Sequence, residues 1–314
     1  MSALIRSVQT VLLFVLLGIP GFLLGKTGRI RKEAVGSIGH ILLDVSLPCL
    51  VFARLAEADP DAIGAFSLIA CLAFPVLIIF GVLLLGRWIL PDRDGKKSVC
   101  LLCGAFSNCG FMGIPMSQMM FPDAPTVTVC VSIFNAVNSL LLLTAGTRLL
   151  SDEKKGGWKK ALFCPMTAAF LLGAVVCLSG IAGKLSFLVK ATDTLGGMAT
   201  PLSLTVLGFE LSGMKLGKKT LNSGFALTTG MKLLIAPLAA LGLLLAARLC
   251  GLPVSRALAV GMLIASGVPT AASAPSLAEQ NGCDGEYASV LTLGNTLFSL
   301  ATLPMILTVG ELIF

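Results

Sequence analysis

Two short phrases, Gly113-Ile114-Pro115 and Gly267-Val268-Pro269, each lie within an apolar segment long enough to span a bilayer, one in each half of the chain. Proline has no backbone N–H and glycine is a poor helix former, so the sequence predicts that both helices break at these phrases. Backbone polar groups freed inside hydrocarbon are tolerated only where protein or a water-filled cavity satisfies them. Matched breaks in two halves are therefore typical of helices that line a solute-binding site.

The composition identifies the chain as an integral membrane protein. Of its 314 residues, 56% are hydrophobic and only 12% are charged, and the mean hydropathy is +0.94. A membrane span needs about 20 apolar residues, so the chain has room for about ten spans and for little else. The apolar segments and their Gly and Pro residues predict an all-α fold with spans near residues 8–25, 34–56, 63–86, 97–121, 125–149, 161–181, 187–212, 221–249, 254–279 and 286–313.

The distribution of Lys and Arg predicts the orientation of the chain. Sixteen of the 23 basic residues fall in the loops after predicted segments 1, 3, 5 and 7, and six fall on the opposite side. Cytoplasmic loops are enriched in Lys and Arg, so we place both termini outside the cytoplasm and the protein in the inner (plasma) membrane. The same bias accounts for the net charge of +7, and we expect no nucleic-acid partner.

The two halves of the chain resemble each other, which predicts an internal repeat. An Asn-x-x-x-Ser-Leu pattern begins at Asn135 and again at Asn295. Prolines recur at matching spacing in segments 2 and 4 and in segments 7 and 9, at Pro48, Pro115, Pro201 and Pro269. We therefore divide the chain into a first five-helix repeat at 1–150, a cytoplasmic connecting loop at 151–160 and a second repeat at 161–314. Since five is odd, the second repeat is inverted in the membrane, and helices 4 and 9 are the two that break.

The predicted breaks can bind an anion. Each break starts a new helix, whose first N–H groups are unpaired and carry a partial positive charge, so two starts meeting near mid-membrane would stabilise a carboxylate. The candidate substrate-binding residues near the breaks are Asn108, Gly113, Pro115, Met116, Ser266, Pro269 and Thr270. Further candidates for binding an ion or for bonding helices together are Ser107, Asn135, Asn138, Asn295 and Ser299. The alternative for all the polar members is that they only hydrogen-bond neighbouring helices, a common role in membranes.

Ionisable residues within predicted spans form a second group of candidates, because charge in hydrocarbon is costly and marks function by default. Asp44 lies one turn before Pro48 and could exchange a proton, which His40, one turn away, could share. Lys232 could compensate the charge of an anionic substrate. Alternatively, Asp44 pairs with Lys232 for structural reasons and His40 only packs.

Three phrases of the chain resemble a known family. The run Asn108-Cys-Gly-Phe-Met-Gly113-Ile-Pro115 is similar to the Asn-x5-Ile-Pro phrase of the auxin efflux carrier family, which includes bacterial malate and malonate permease-like proteins. Asp44-Val-Ser-Leu-Pro48 and Gly267-Val-Pro269-Thr270 are similar to the family's second and ninth helices. The resemblance covers essentially the whole chain, except that the long cytoplasmic loop of the plant members is absent.

The resemblance implies a fold related to the bile-acid sodium symporters, in which two helices, here 4 and 9, break and cross. Helices 1, 2, 6 and 7 would form a scaffold, commonly dimeric, and helices 3 to 5 and 8 to 10 a moving transport unit, with the substrate between them. Asn108 would face the substrate, and Pro115 and Pro269 would lie at the crossing. The symporters have an acidic residue near the ninth-helix break, where this sequence has Ser266, Gly267 and Thr270, so sodium coupling is not the favoured expectation.

Together these observations predict a secondary transporter that moves a small organic anion, such as a dicarboxylate or an auxin-like acid, by alternating access. Export by uniport or proton coupling is favoured; a sodium-coupled symporter and a receptor or channel without transport are the alternatives. The chain has one histidine, His40, and no Gly-x-Ser, so an intramembrane protease is disfavoured. We expect no cofactor and no metal, because the Cys100-x-x-Cys103 pair stands alone. The expected partners are the substrate, the lipid bilayer and a second copy of the chain.

Overall fold

The computed structural model describes residues 3–58, 64–91, 95–151, 164–213 and 222–314. Throughout these ranges the chain is helical, and its β-structure is one isolated bridge. The α-helices before residue 152 are α1 (Ala3–Lys26), α2 (Lys32–Ile41), α3 (Leu47–Ala56), α4 (Ala65–Ile89), α5 (Lys97–Ala105), α6 (Ile114–Met120), α7 (Pro125–Leu141) and α8 (Thr147–Leu150). Those after residue 163 are α9 (Pro165–Ser179), α10 (Ser186–Gly196), α11 (Ala199–Ser212), α12 (Ser223–Gly230), α13 (Ala236–Leu249), α14 (Arg256–Gly267), α15 (Ala274–Gln280) and α16 (Gly285–Ile313). Apart from Ser151, the predicted connecting loop at 151–160 lies outside the described residues.

Several of these helices are long and apolar enough to cross a membrane. Within the described ranges five continuous helices meet both conditions, namely Glu33–Ala56, Ala65–Ile89, Pro125–Leu150, Ser223–Leu249 and Gly285–Ile313. Three shorter apolar helices are Leu12–Lys26, Pro165–Ser179 and Arg256–Gly267. Predicted segments 4, 7 and 9 are each built from two helices: α5 with α6, α10 with α11, and α14 with α15. The protein is an all-helical integral membrane protein.

Three prolines are accommodated by a wider helical turn rather than by a break. The π-turns at Leu42–Ser46, Cys109–Gly113 and Met231–Ile235 each begin six residues before a proline. The prolines themselves are Pro48, Pro115 and Pro237, at the start of α3, α6 and α13. A proline ring clashes with the carbonyl four residues earlier, and a π-turn moves that carbonyl aside while helical bonding continues. The chain therefore stays helical through all three.

Helices α1 and α11 approach each other very closely at Gly18, Gly21 and Gly208. A Cβ on Gly208 would overlap the carbonyl oxygen of Gly18, and one on Gly21 would overlap that of Thr205. Small residues let helix backbones approach closely, which is the main source of helix association in lipid. Helix α3 packs in a similar way, against α9 and α10, and Gly196 meets the backbone of Leu50 there.

The remaining helices surround α5 and α14, which are the most deeply buried. Every side chain of α14 from Leu258 to Gly267 is buried, and so is every one of α5 from Val99 to Ala105. Helices α4, α7, α13 and α16 pack against this pair. The chain interruptions that follow α5 and α14 are therefore held in the centre of the protein, away from its surface.

Candidate functional site

The first interruption lies at Phe106–Asn108, upstream of the predicted position. Helix α5 ends at Ala105, Phe106 is extended, and helical structure resumes at Cys109. Gly113 and Ile114 have helical backbone angles, so the prediction of a break at Gly113-Ile114-Pro115 is wrong. The reason is the π-turn, which removes the clash that Pro115 would otherwise create.

The second interruption lies where the sequence places it. Helix α14 ends at Gly267, Val268 is extended with ψ 153°, and α15 begins at Ala274. Here no π-turn precedes the proline, and Pro269 lies in the interruption itself.

The two interruptions meet and pair with each other through their backbones. Ser107 and Thr270 form an antiparallel bridge. The N–H of Asn108 donates to the carbonyl of Pro269 at 2.8 Å, and the N–H of Ala271 donates to the carbonyl of Phe106 at 3.0 Å. Backbone groups freed by one interruption thus satisfy those freed by the other, as a water-poor interior requires. Of the N–H donors that were expected to be free around Thr270, that of Ala271 is therefore paired within the protein.

Two asparagines hold the paired segments, one from each half of the chain. Asn138 of α7 accepts from the N–H of Ser107 and donates to its carbonyl, both at 3.0 Å, as a neighbouring strand would. Asn295 of α16 donates to the Thr270 hydroxyl at 2.7 Å. That hydroxyl donates in turn to the carbonyl of Cys103 at 2.6 Å, at the end of α5. The sequence pattern aligns Asn135 with Asn295, whereas the structure gives the matching role to Asn138.

Lys232 places a buried ammonium group at the paired interruptions. Its side chain is 0% exposed, and its Nζ donates to Ser107 Oγ at 2.6 Å and to the carbonyl of Ser266 at 2.9 Å. Ser266 lies in the last turn of α14, where unpaired carbonyls and the helix dipole favour a cation. In the described parts of the chain, no carboxylate forms an ion pair with Lys232. The alternative of an Asp44–Lys232 ion pair is therefore wrong.

Two buried polar atoms beside the bridge lack partners. Asn108 is 4% exposed and Asn295 is 0% exposed, and neither Asn108 Nδ2 nor Asn295 Oδ1 has a hydrogen-bond partner within the described ranges. Buried polar groups are nearly always satisfied by protein, water or ligand. The residues around the paired interruptions thus include a free donor, a free acceptor and an ammonium group, which is the chemistry needed to bind a small polar or anionic group.

The other predicted polar residues serve the structure around this site. Ser266 Oγ donates to the carbonyl of Met262 at 2.7 Å, and Ser299 Oγ to that of Thr296 at 2.7 Å. Asn135 is buried with its Oδ1 3.6 Å from the position of a Cβ on Gly110. Two predicted residues, Pro115 and Met116, lie in the first turn of α6 and are buried in the protein.

Asp44 and His40 lie at the surface of the protein, away from the buried interruptions. His40 Nδ1 is 3.6 Å from an Asp44 carboxylate oxygen, and the two side chains are 79% and 55% exposed. Their π-turn neighbours Leu43 and Val45 are also exposed. This pair does not reach the paired interruptions, so the structure separates the predicted proton-exchanging residues from the predicted binding residues.

Sequence reasoning missed an apolar cleft of about 460 Å³. Its walls come from α1 and α11 on one side and from Met112 and α16 on the other. None of the residues chosen from the sequence as substrate-binding lines it. A sequence signal existed in the apolar face of α1, but nothing in the sequence showed which helix would stand opposite.

These features define the class of protein: an all-helical membrane protein with a buried polar site where two helices are interrupted, the arrangement of a membrane transporter. The chain belongs to the membrane transport protein family, whose family model matches residues 5–157 and 153–307. The resemblance to auxin efflux carriers is thereby confirmed.

Named relatives agree with this class. The chain is 30% identical over 311 residues to an uncharacterized transporter of Methanothermobacter thermautotrophicus, covering 95% of this chain and 97% of that protein. It is 24% identical over 294 residues to a putative malonate transporter of Rhizobium meliloti, covering 90% and 89%. It is 22% identical over 238 residues to the uncharacterized transporter YfdV of Escherichia coli K12, covering 70% and 73%. All three are named as transporters of small molecules or simply as transporters, and none as an enzyme.

Proposed function

We propose that this protein is a secondary transporter that binds a small organic anion at the paired interruptions and moves it by alternating access. The observation that carries the proposal is the buried ammonium of Lys232, which has no carboxylate partner among the described residues and donates to Ser107. The next residue in the chain, Asn108, has a buried Nδ2 that also lacks a partner in the described ranges. A buried unpaired charge is costly, so an anion that supplies the missing partner binds with a net electrostatic gain. Asn108 Nδ2 would donate to its carboxylate.

The architecture proposed for transport is ten spans in two inverted repeats, with helices 4 and 9 crossing at the Ser107–Thr270 bridge. The contacts support a division into two units. Helix α1 packs mainly on α11, and α3 on α9 and α10, which would be the scaffold. Helices α4, α5, α7, α13, α14 and α16 pack around the interruptions and would form the moving unit. Inner-membrane insertion with both termini outside the cytoplasm, and a homodimer through the scaffold, complete the proposal.

For the driving force we propose uniport or proton coupling. The membrane potential supplies about 2.3 kcal/mol per charge per 100 mV, enough to drive anion export from a negative interior without a coupling ion. Asp44 with His40 is the candidate proton carrier, at a distance from the substrate. The Lys232 ammonium, held between Ser107 Oγ and the Ser266 carbonyl, already supplies a positive charge at the interruptions, which disfavours the sodium-coupled alternative.

The proposal is tested with purified protein in proteoliposomes and a panel of radiolabelled carboxylic acids. We expect uptake of at least one acid, accelerated by unlabelled acid on the opposite side, because a carrier must return its site. Asn108→Ala should reduce this uptake at least about tenfold, the cost of one hydrogen bond to a charged group. The matched control is Asn281→Ala, which removes a peripheral amide that bonds only the carbonyl of Leu277.

Other results would contradict the proposal. Uptake without acceleration by unlabelled acid would indicate a channel, and binding without uptake a receptor. If Asn108→Ala behaved like Asn281→Ala for every acid that is carried, the binding site would be wrongly placed. Replacement of sodium by choline separates the symporter alternative, since only a sodium-coupled carrier loses uptake.

A further inference from the structure

A hydrogen bond between two side chains joins the scaffold to the moving unit. Thr200 Oγ1 donates to Gln118 Oε1 at 3.1 Å, across 82 positions of the chain. Thr200 lies in the first turn of α11, which belongs to the proposed scaffold. Gln118 lies in α6, the second half of predicted segment 4 and so part of the moving unit. This bond has to break if the two units move past each other at this point.

Polar contacts that lie within one unit provide a comparison. Arg54 of α3 and Asp193 of α10 form an ion pair at 2.9 Å inside the scaffold. In the moving unit, Ser67 Oγ of α4 lies 3.3 Å from the Oγ of Ser255, at the start of α14. Contacts of this kind persist when one unit moves as a rigid body against the other. The bond from Thr200 to Gln118 is therefore the kind of contact that can distinguish two states of the carrier.

The bond lies at one end of the surface between the two units. Helix α11 lines the apolar cleft from Leu204 to Leu211, and residues of α16 line it from the moving unit. Along this stretch the cleft keeps the two units apart. Thr200 lies one helical turn before Leu204, and there α11 is bonded to α6. In the predicted orientation α11 begins on the extracellular side, so the units touch outside and separate towards the cytoplasm.

We propose that the hydrogen bond from Thr200 to Gln118 is a latch that holds the carrier closed on the extracellular side and breaks when the binding site opens outward. This inference rests on the proposed function, because it needs two units that move, and it adds a contact that favours one of the two states. A single neutral hydrogen bond changes an equilibrium by a factor of roughly 2–10. That factor biases the carrier towards the inward-open state and still allows the bond to break in every cycle.

The test removes each partner while keeping most of the side-chain volume. Thr200→Val loses the donor, and Gln118→Met loses the acceptor. The matched control is Ser67→Ala, which removes the contact with Ser255 inside the moving unit. The KM for radiolabelled malonate and for phenylacetate is measured in right-side-out and in inside-out membrane vesicles, which present opposite faces of the carrier to the added acid.

Loss of the latch should affect the two faces differently. Apparent affinity follows the populated fraction of the binding-competent state, and the outward-open state gains population when the bond is lost. We expect the extracellular KM to fall by roughly 2–10-fold in Thr200→Val and in Gln118→Met, while the cytoplasmic KM does not fall. The double variant should match the single variants, since both remove the same bond. Ser67→Ala should leave both KM values unchanged.

A covalent bridge tests the latch without depending on the stability of those variants. Gln118→Cys combined with Thr200→Cys is treated with a short bis-methanethiosulfonate, whose disulfides dithiothreitol cleaves. Uptake should be lost on cross-linking and restored by dithiothreitol. The control pair, Ser67→Cys with Ser255→Cys, is joined within the moving unit and should keep its uptake. The unmodified protein, treated in the same way, accounts for reaction at native cysteines such as the exposed Cys250.

Two results would overturn the latch. One is full uptake by the protein cross-linked between positions 118 and 200, which would show that the units do not separate there. The other is an equal change of KM on both faces in Thr200→Val, which would indicate a bond with only a structural role. Both results require an unmodified protein that carries acid. If the unmodified protein carries no acid at all, the proposed function itself fails, so the two failures are distinguishable.

Discussion

Ser107 and Thr270 face each other across a two-residue antiparallel bridge in the centre of an otherwise helical protein, 163 positions apart in the chain. Each is held by an asparagine from a helix of its own half, Asn138 for Ser107 and Asn295 for Thr270. The bridge gives two interrupted helices a defined contact without leaving the freed backbone groups unpaired. It also places Lys232, which bonds Ser107, beside both interruptions.

The first prediction concerns Asn138. Asn138→Ala removes the hydrogen bonds that the amide and carbonyl of Ser107 make within the described ranges. The free energy of unfolding should therefore fall by about 1–3 kcal/mol, the cost of a buried unsatisfied polar group. Thermal unfolding in detergent measures this, with Asn281→Ala as the peripheral control. Equal midpoints for the two variants would contradict the bracing role of Asn138.

The second prediction concerns Lys232. Lys232→Met keeps most of the side-chain volume and removes a buried charge, so the stability of the protein should be unchanged or increased. Transport of acids should nevertheless fall at least about tenfold, because the partner of the carboxylate is lost. Measuring thermal unfolding and uptake on the same preparation separates the two effects. Full uptake by Lys232→Met would show that the ammonium is structural only.

The third prediction concerns the contact between α1 and α11. Gly208→Val forces the two helices apart, because even a Cβ at this position overlaps the carbonyl of Gly18. We expect a loss of folded protein, or destabilisation of several kcal/mol as in overpacked cores. Gly242→Ala is the control, since a Cβ there meets nothing within 4 Å and Ala favours the helix by about 1 kcal/mol. Normal yield and stability of Gly208→Val would rule out the close approach.

The fourth prediction concerns the pH dependence of stability and the ion pair between Lys96 and Asp284, which joins the starts of α5 and α16. Lys96 Nζ lies 3.0 Å from an Asp284 carboxylate oxygen, and the N–H of Tyr287 donates to the other at 2.8 Å. Partial burial alone would raise the pKa of Asp284, but the bonds from Tyr287 and Lys96 outweigh it and hold that pKa below its ordinary value of 3.8. A lowered folded-state pKa means that the charged carboxylate stabilises the fold at neutral pH. That contribution is lost as the pH falls from 3.8 through the lowered value.

Asp284→Asn should accordingly lower the stability at pH 7 by up to about 1 kcal/mol, the usual size for a partly exposed pair. The difference between this variant and the unmodified protein should shrink as the pH falls below 3.8. Thermal unfolding across a pH series measures it, with the exposed Asp123→Asn as control. A difference that grows on acidification would reverse the assigned sign.

Much of the placement of the apolar helices was predictable from local patterns. Hydropathy places the helices because each span must satisfy its own backbone within one continuous segment, and this is a property of about 20 neighbouring residues. The second interruption was predictable for the same reason, since Gly267 and Pro269 weaken the helix where they stand. The first interruption was misplaced because a helix can accommodate a proline such as Pro115 either by breaking or by forming a π-turn. The sequence around Pro115 does not indicate which of the two occurs.

The sequence by itself determined that this chain enters a membrane, where its helices run, and that Asn108 and Lys232 lie within apolar segments. Only the tertiary structure decided that Lys232 meets Ser107 across 125 positions, that Asn138 rather than Asn135 braces the first interruption, and that α1 and α16 enclose an apolar cleft. Helix formation depends on neighbours in sequence, whereas the partner of a freed backbone group or a buried charge depends on which distant helix packs against it. In a water-poor interior those distant partners are what make the interruptions possible.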